Sequence, residues 1–264
     1  MAVRNRYNGL TESELRDFLE SKYQSFNVSA FVDDDPVSIP HRYNLKQDIE
    51  VAAFLTATIS WGNRKSIINS ASRMMELMQD APYDFVMNHS PRDLKSLQGF
   101  VHRTFNADDL SDFIRALKNL YSDRASMEDY FTDSIASNGK TTHAISEFKQ
   151  QFFSVPHAAR SEKHVSDPLA GSSAKRINMF LRWMVRSDKN NVDFGIWKNI
   201  APAHLSIPLD VHSGNVARQL GMLKRKQNDA RAVEELDSVL RKLDPTDPVK
   251  YDYALFGLGA IEKW

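Results

Sequence analysis

From Ile49 to Ile59 the chain runs almost without interruption through apolar residues, with the small residues Ala52, Ala53 and Ala57 set between larger ones. The run is longer than a buried strand, and it fits a helix covered on most of its sides. Such a helix has to sit inside a core. The 264 residues, 42% hydrophobic and 26% charged, are enough for one large domain or two small ones with a genuine core, and the composition argues against disorder. Gly62 ends the run, and a second helix is expected from Lys65 to Met78 with Ile68, Met75 and Met78 turned inward.

Helix starts are legible along most of the chain. Thr11-Glu12-Ser13-Glu14 is a capping box, with Leu10 and Leu15 at staple spacing, and predicts a helix to about Phe26. Asp33-Asp34-Asp35-Pro36 is a loop, and Pro40 keeps the chain irregular to Tyr43. Ser90-Pro91 supplies an N-cap followed by proline at the first helical position. Asn106 with Asp109, Ser126 with Asp129, Asn228 before Val233, and Asp247-Pro248 open four more helices. The segment from Val155 to Asp167 is polar and is expected to be an exposed connection. Strand signals are scarce, since no Asn-Gly or Asp-Gly hairpin lies between alternating runs. The fold class is therefore all-α.

Composition removes several function classes. The chain has no cysteine, which excludes disulfides, a Cys-ligated iron–sulfur cluster, a thiolate zinc site and a cysteine nucleophile. None of its eight histidines stands at i, i+4 ligand spacing, so no metal site is expected. The N-terminal Met1-Ala2-Val3-Arg4-Asn5-Arg6 has no apolar region of an export signal, and no apolar run is long enough for a bilayer. A cytoplasmic protein that does not enter the membrane is expected. Net charge is zero, against the usual basic balance of nucleic-acid binders. Binding needs only a local basic face, however, and Arg64-Lys65, Lys175-Arg176 with Arg182 and Arg186, and Lys224-Arg225-Lys226 are local clusters.

Two stretches carry chemistry. In Asp167 to Arg182 a glycine-containing turn opens an amphipathic helix whose first-turn N–H groups have no intrahelical partners and suit an anion such as phosphate. Lys175 stands in that first turn, where the helix dipole disfavours a cation and favours the neutral, nucleophilic amine; it can equally be a surface lysine at a helix start. In Ile207 to Gly221, Pro208 keeps the chain extended and Asp210 is placed to cap the following helix, which Gly221 stops. Asp210 can be a cap alone, or also a carboxylate that steadies a developing cation.

Leu169-x-Gly171-x-x-x-Lys175-x-x-Asn178-x-x-Leu181 resembles the second half of the helix-hairpin-helix of endonuclease III. Pro208-Leu209-Asp210-Val211-His212, with Arg218 and Gly221 downstream, is similar to the Pro-Val-Asp signature of the same DNA-glycosylase superfamily, most closely in its 8-oxoguanine glycosylase form. Asp48 to Asn63 resembles its buried helix and DNA-facing turn, and Gln98-Gly99-Phe100 its entry into the mid-domain helix. The chain also resembles a bacterial family within or near this superfamily.

The resemblance implies a helix-hairpin-helix glycosylase-like fold in two packed helical lobes. It places an N-terminal helix and irregular segment at 1–44, and the glycosylase-like domain at 45–264 with its hairpin at about 160–186 and an insertion at about 187–206. It implies base excision from DNA, duplex rather than single-stranded, with AP-lyase activity. Lys175 would be the Schiff-base nucleophile at C1′ and Asp210 the carboxylate that assists base departure. Gly171, Ser173, Arg176, His212, Asn63 and Arg64 would contact DNA, while Phe256 and Trp61 would line the base pocket or belong to the core. No cofactor and no obligate protein partner is implied. Three features depart from the superfamily pattern: Gly171-Ser172-Ser173 replaces Gly-x-Gly, the Cys-ligated cluster is absent, and Lys175 and Asp210 stand wider apart than in typical members. The stretch from about Ser187 to Ser206, with Trp197 and His204, would have to loop out for the two to meet. Neutral charge and the altered hairpin favour a rival reading, a binding protein for DNA or RNA without catalysis; neutrality alone supports a helical adaptor.

Overall fold

The computed structural model describes residues 7–264; the N-terminal hexapeptide read above for an export signal lies outside them. The chain forms two compact units, one of the residues up to Phe31 with Asp167–Trp264, the other Val32–Ser166. Helix α1 (Glu12–Phe26) opens with the expected capping box: Thr11 accepts the Glu14 N–H and Glu14 takes the Thr11 N–H at 2.7 Å. It buries Leu15 and Leu19 in the core of the first unit.

In the second unit, single turns of 3-10 helix at Pro36–Ser38 and Pro40–Arg42 occupy the stretch expected to be irregular. Helix α2 (Lys46–Thr58) follows, and every residue from Ile49 to Thr58 is buried. Around it stand α3 (Arg64–Leu77), α4 (Pro82–Asn88) and α5 (Pro91–Ser96), a two-residue antiparallel hairpin β1 (Val101–His102) and β2 (Phe105–Asn106), and α6 (Ala107–Asp123), α7 (Glu128–Asn138) and α8 (Thr141–Phe152). Phe54 of α2 meets Phe113 of α6 and Phe148 and Phe152 of α8 ring to ring, at centroid separations of 5.9, 5.6 and 5.3 Å. Asn106 and Asp109 form the reciprocal cap expected at α6.

Two expectations are corrected in this unit. Helix α7 starts at Glu128 with Met127, not Ser126, at its N-cap; the Ser126 oxygen accepts the Glu128 N–H at 3.1 Å while its hydroxyl donates to the buried carboxylate of Glu50. The connection from Val155 to Asp167 is not simply exposed. Ala159–His164 is a 3-10 turn with Ser161 and His164 buried, and the Ser161 hydroxyl donates to Asp109 at 2.9 Å and to Asp112 at 2.7 Å.

The first unit continues with α9 (Lys175–Val185), α10 (Val211–Gln219), α11 (Ala230–Leu243) and α12 (Tyr251–Ala260), and both α1 and α10 pack on α12. Asp229 rather than Asn228 caps α11, since it is the Asp229 carboxylate that accepts the Ala232 N–H. The stretch from Ser187 to Ser206 does not loop out. Ser187 bridges Phe194, the Phe194 and Trp197 N–H groups donate to the carbonyls of Trp183 and Met184, and Trp197 is buried edge-on against Phe180. What draws it back onto α9 is charge: buried Asp193 accepts from Arg182 at 3.3 Å and from Arg186 at 2.9 Å.

Among the described residues no helix is long and apolar enough to cross a membrane. The contact of α1 with α12 sets a sharp size limit: a Cβ on Gly257 would stand 2.2 Å from the Phe26 ring. Alanine suits a helix better than glycine by roughly 1 kcal/mol, but a clash of that depth outweighs the gain. Gly257→Ala is expected to lower the urea-unfolding free energy by about 1–3 kcal/mol, and adding Phe26→Leu should return most of it. A single variant as stable as the parent would show that the ring moves aside freely.

Candidate active site

Three helix starts are tied together in the first unit. The Ala230 N–H at the start of α11 donates to the Gly171 carbonyl at 3.1 Å, and Ser172 pairs with Asp229. The Asn228 side-chain amide donates to the carbonyl of Asp210 at 2.8 Å. Arg218 of α10 in turn donates to Asn228 and to the Arg225 carbonyl. Gly214 makes room for this network, because a Cβ there would stand 2.8 Å from Asn228 and 2.9 Å from Arg218. The turn before α9 and the first residues of α10 and α11 are thereby held in one region.

Gly171 turns the chain at φ +92°, and the left-handed residue before α9 is Ala174, at φ +47°, not Ser173. The Ser172 hydroxyl accepts the Ala174 N–H at 3.1 Å, and Asn178 reaches back to the Ser173 carbonyl at 3.1 Å. These bonds brace the turn from inside. No side chain caps α9, so its start differs from those of α10 and α11, which carry aspartate caps. Lys175 and Arg176 are its first two residues and are half-buried. Burial pushes the Arg176 guanidinium down to about 10, where it still carries its charge at neutral pH.

Asp210 is the N-cap of α10, its carboxylate accepting the Ser213 N–H at 2.8 Å. His212 is exposed, and its ring lies edge-on to Phe256 of α12 at 6.1 Å; Phe256 is half-buried. Beneath these residues lies Asp252 of α12, which is buried and accepts from Arg182 of α9 and from the Ser213 hydroxyl at 3.3 Å. Burial raises the Asp252 carboxyl to about 6; Arg182 opposes the rise, Asp210 adds to it and Lys175 opposes it. Lys175 and Asp210 therefore act on one common group.

Trp61, Asn63 and Arg64 belong to the second unit, and local roles account for them there. Trp61 stacks on His164 at 6.1 Å and meets His102 edge-on at 5.3 Å. Asn63 caps α3 by accepting the Ser66 N–H, and Arg64 stands 4.0 Å from Asp35. As residues of this site, Asp252, Ser213 and Asn228 escaped the sequence reading, which saw Asn228 only as a helix start. One signal was available: Asp252 is a carboxylate inside the otherwise apolar Tyr251-Asp252-Tyr253-Ala254-Leu255 helix, where it needs a buried partner, and Arg182 recurs seven residues after Lys175 on the same face of α9. Among the described residues no group of three or more His, Asp or Glu is placed to hold a metal ion.

No curated protein and no solved structure matches the chain. A family model does match, over residues 35–261, nearly the whole of the region described above. The chain belongs to that family, whose description reads protein of unknown function (DUF2400).

Proposed function

We propose that this protein is a DNA base-excision glycosylase with AP-lyase activity. Lys175 Nζ, as the free amine, attacks C1′ of a damaged nucleoside; the glycosidic bond breaks, its electron pair leaving with the base, which takes up a proton. The sugar opens to a Schiff base on Lys175; a C2′ proton is then lost to water, its electron pair forms the C2′–C3′ double bond, and the 3′-phosphate leaves with the C3′–O pair. Asp210 steadies the positive charge that develops on the sugar as the base departs. The observation that carries this reading is that the bonds from Ala230 to Gly171 and from Asn228 to Asp210 hold the turn before α9, which Lys175 begins, in one region with Asp210 at the start of α10. The uncapped start of α9, with Arg176 beside it, is chemically suited to a backbone phosphate.

The rival reading, a protein that grips DNA or RNA without cutting, is favoured by the Asp210 cap, which needs no catalysis to explain it. Incubating the protein with duplex DNA holding one abasic site, then adding borohydride, separates the two. A covalent adduct is expected with the parent protein and none with Lys175→Gln. DNA retarded on a native gel without an adduct would favour the binding protein, and neither adduct nor retardation would end the nucleic-acid reading.

A further inference from the structure

We infer that Asp252 is a positioning residue of the proposed site, holding Asp210 through Ser213 and α9 through Arg182. This rests on the glycosylase reading for its chemical meaning, though not for its test. The geometry is a short chain of contacts. Asp252 accepts the Ser213 hydroxyl at 3.3 Å, and the Ser213 backbone N–H donates to Asp210 at 2.8 Å. On its other oxygen Asp252 is bound by Arg182, two helical turns along α9 from Lys175. Ser213 is fully buried, so its hydroxyl has no water to turn to and the link is not loosened by solvent.

The charged and titratable groups around Asp252 come from every neighbouring element. Helix α9 presents Lys175 and Arg182, and α10 presents Asp210. The stretch after α9 presents Asp193, which shares Arg182. Helix α1 packs on α12 and sets Tyr23 against Tyr253, whose hydroxyl donates to Asp193 at 2.8 Å. In this setting Asp252 changes charge at about pH 6. Below about pH 6 it is neutral and neither attracts Lys175 nor repels Asp210; above, it is ionised, takes the Ser213 hydroxyl firmly and fixes the start of α10.

The test is a carboxyl-carbon NMR titration of the full chain, with the Asp252 signal assigned by its loss in Asp252→Asn. Asp210→Asn should lower the Asp252 midpoint, and Lys175→Gln should raise it, each by about half a pH unit or more. Ser213→Ala, which leaves the Arg182 pair intact, should raise it as well. Midpoints unmoved by the first two variants would overturn the inference, whether or not the protein acts on DNA. Where the parent chain forms the borohydride-trapped adduct, its yield should rise as pH passes through about 6. That limb should be missing in Asp252→Asn and kept, at a lower level, in Ser213→Ala. An adduct with the parent profile in Asp252→Asn would remove the positioning role while leaving the glycosylase reading in place. Absence of any parent adduct would do the reverse, leaving the titration to decide.

Discussion

Replacing Arg186 with methionine should lower the unfolding free energy of the first unit by about 3–5 kcal/mol at pH 7. Arg186 is the C-cap just after α9 and is 1% exposed. Its guanidinium donates to Asp247 at 2.9 Å, to Asp188 at 2.8 Å, to Asp193 at 2.9 Å and to the Tyr23 hydroxyl. It also lies over the rings of Tyr23 and Tyr253, at 5.1 and 5.5 Å from their centroids. Burial alone would depress its pKa, but Asp193 and Asp247 reverse this and hold it above the ordinary arginine range. One cation thus ties α1, α9, the stretch after α9 and the approach to α12.

A buried ion pair is often no better than apolar packing of equal volume, so its presence alone says little about stability. The large effect comes from breaking it on one side. Methionine fills much of the same space but leaves Asp193, fully buried, with only Arg182 and the Tyr253 hydroxyl, and removes the cation from Asp247. Burial already pushes the Asp247 carboxyl up, with Arg186 holding it back, so the variant should raise it further. A carboxyl with a raised folded-state pKa contributes stability at low pH that is lost as pH rises through that pKa. The deficit of Arg186→Met should therefore shrink between pH 7 and pH 5, and adding Asp193→Asn should recover part of it at pH 7. Fluorescence of Trp183 and Trp197, both buried in this unit, follows the transition. A loss below about 1 kcal/mol, or one that does not vary with pH, would show that the carboxylates relax to water when the cation leaves.

The same network explains where sequence reasoning reached its limit. Caps at Thr11, Ser90 and Asn106 were legible because donor and acceptor stand three residues apart, and at Asn106 the cap holds even though Arg160 also donates to Asn106 and Asp109. Ser126 and Asn228 carry the same local signal, yet the helices start one residue later: Ser126 accepts the Glu128 N–H with Met127 at the N-cap, and the Asn228 oxygen takes Arg218 while Asp229 caps α11. The stretch from Ser187 to Ser206 read as an insertion to be looped out because it sets Lys175 and Asp210 wider apart than in typical members of the superfamily the chain resembles. It folds back because Arg182 and Arg186, on the buried side of α9, need the carboxylate of Asp193. In the candidate site, Lys175 and Asp210 were visible as parts of spaced motifs. Asp252 was not, because its significance arises from burial and from partners on two other helices.

Asp210→Asn should leave stability within about 0.5 kcal/mol of the parent while lowering the rate of base release by about 10²–10³. Asparagine caps a helix about as well as aspartate, so the bond from the Ser213 N–H and the start of α10 should survive. What disappears is the negative charge. If Asp210 serves only as a cap, nothing else should change. If it steadies the charge that develops on the sugar, release of the base should slow by the amount expected when one electrostatic stabiliser is removed from a site shielded from water. The step after base release makes a further distinction. On DNA whose base is already gone, that charge does not have to develop, so the borohydride-trapped adduct of Asp210→Asn should fall by less than the roughly 10²-fold or more lost in base release. Lys175→Gln should lose the adduct on the same DNA. The comparison requires a duplex with a lesion that the parent protein releases, found by screening single-lesion duplexes. Base release by Asp210→Asn at the parent rate would reduce Asp210 to a cap and leave Lys175 without the carboxylate that the glycosylase reading assigns it.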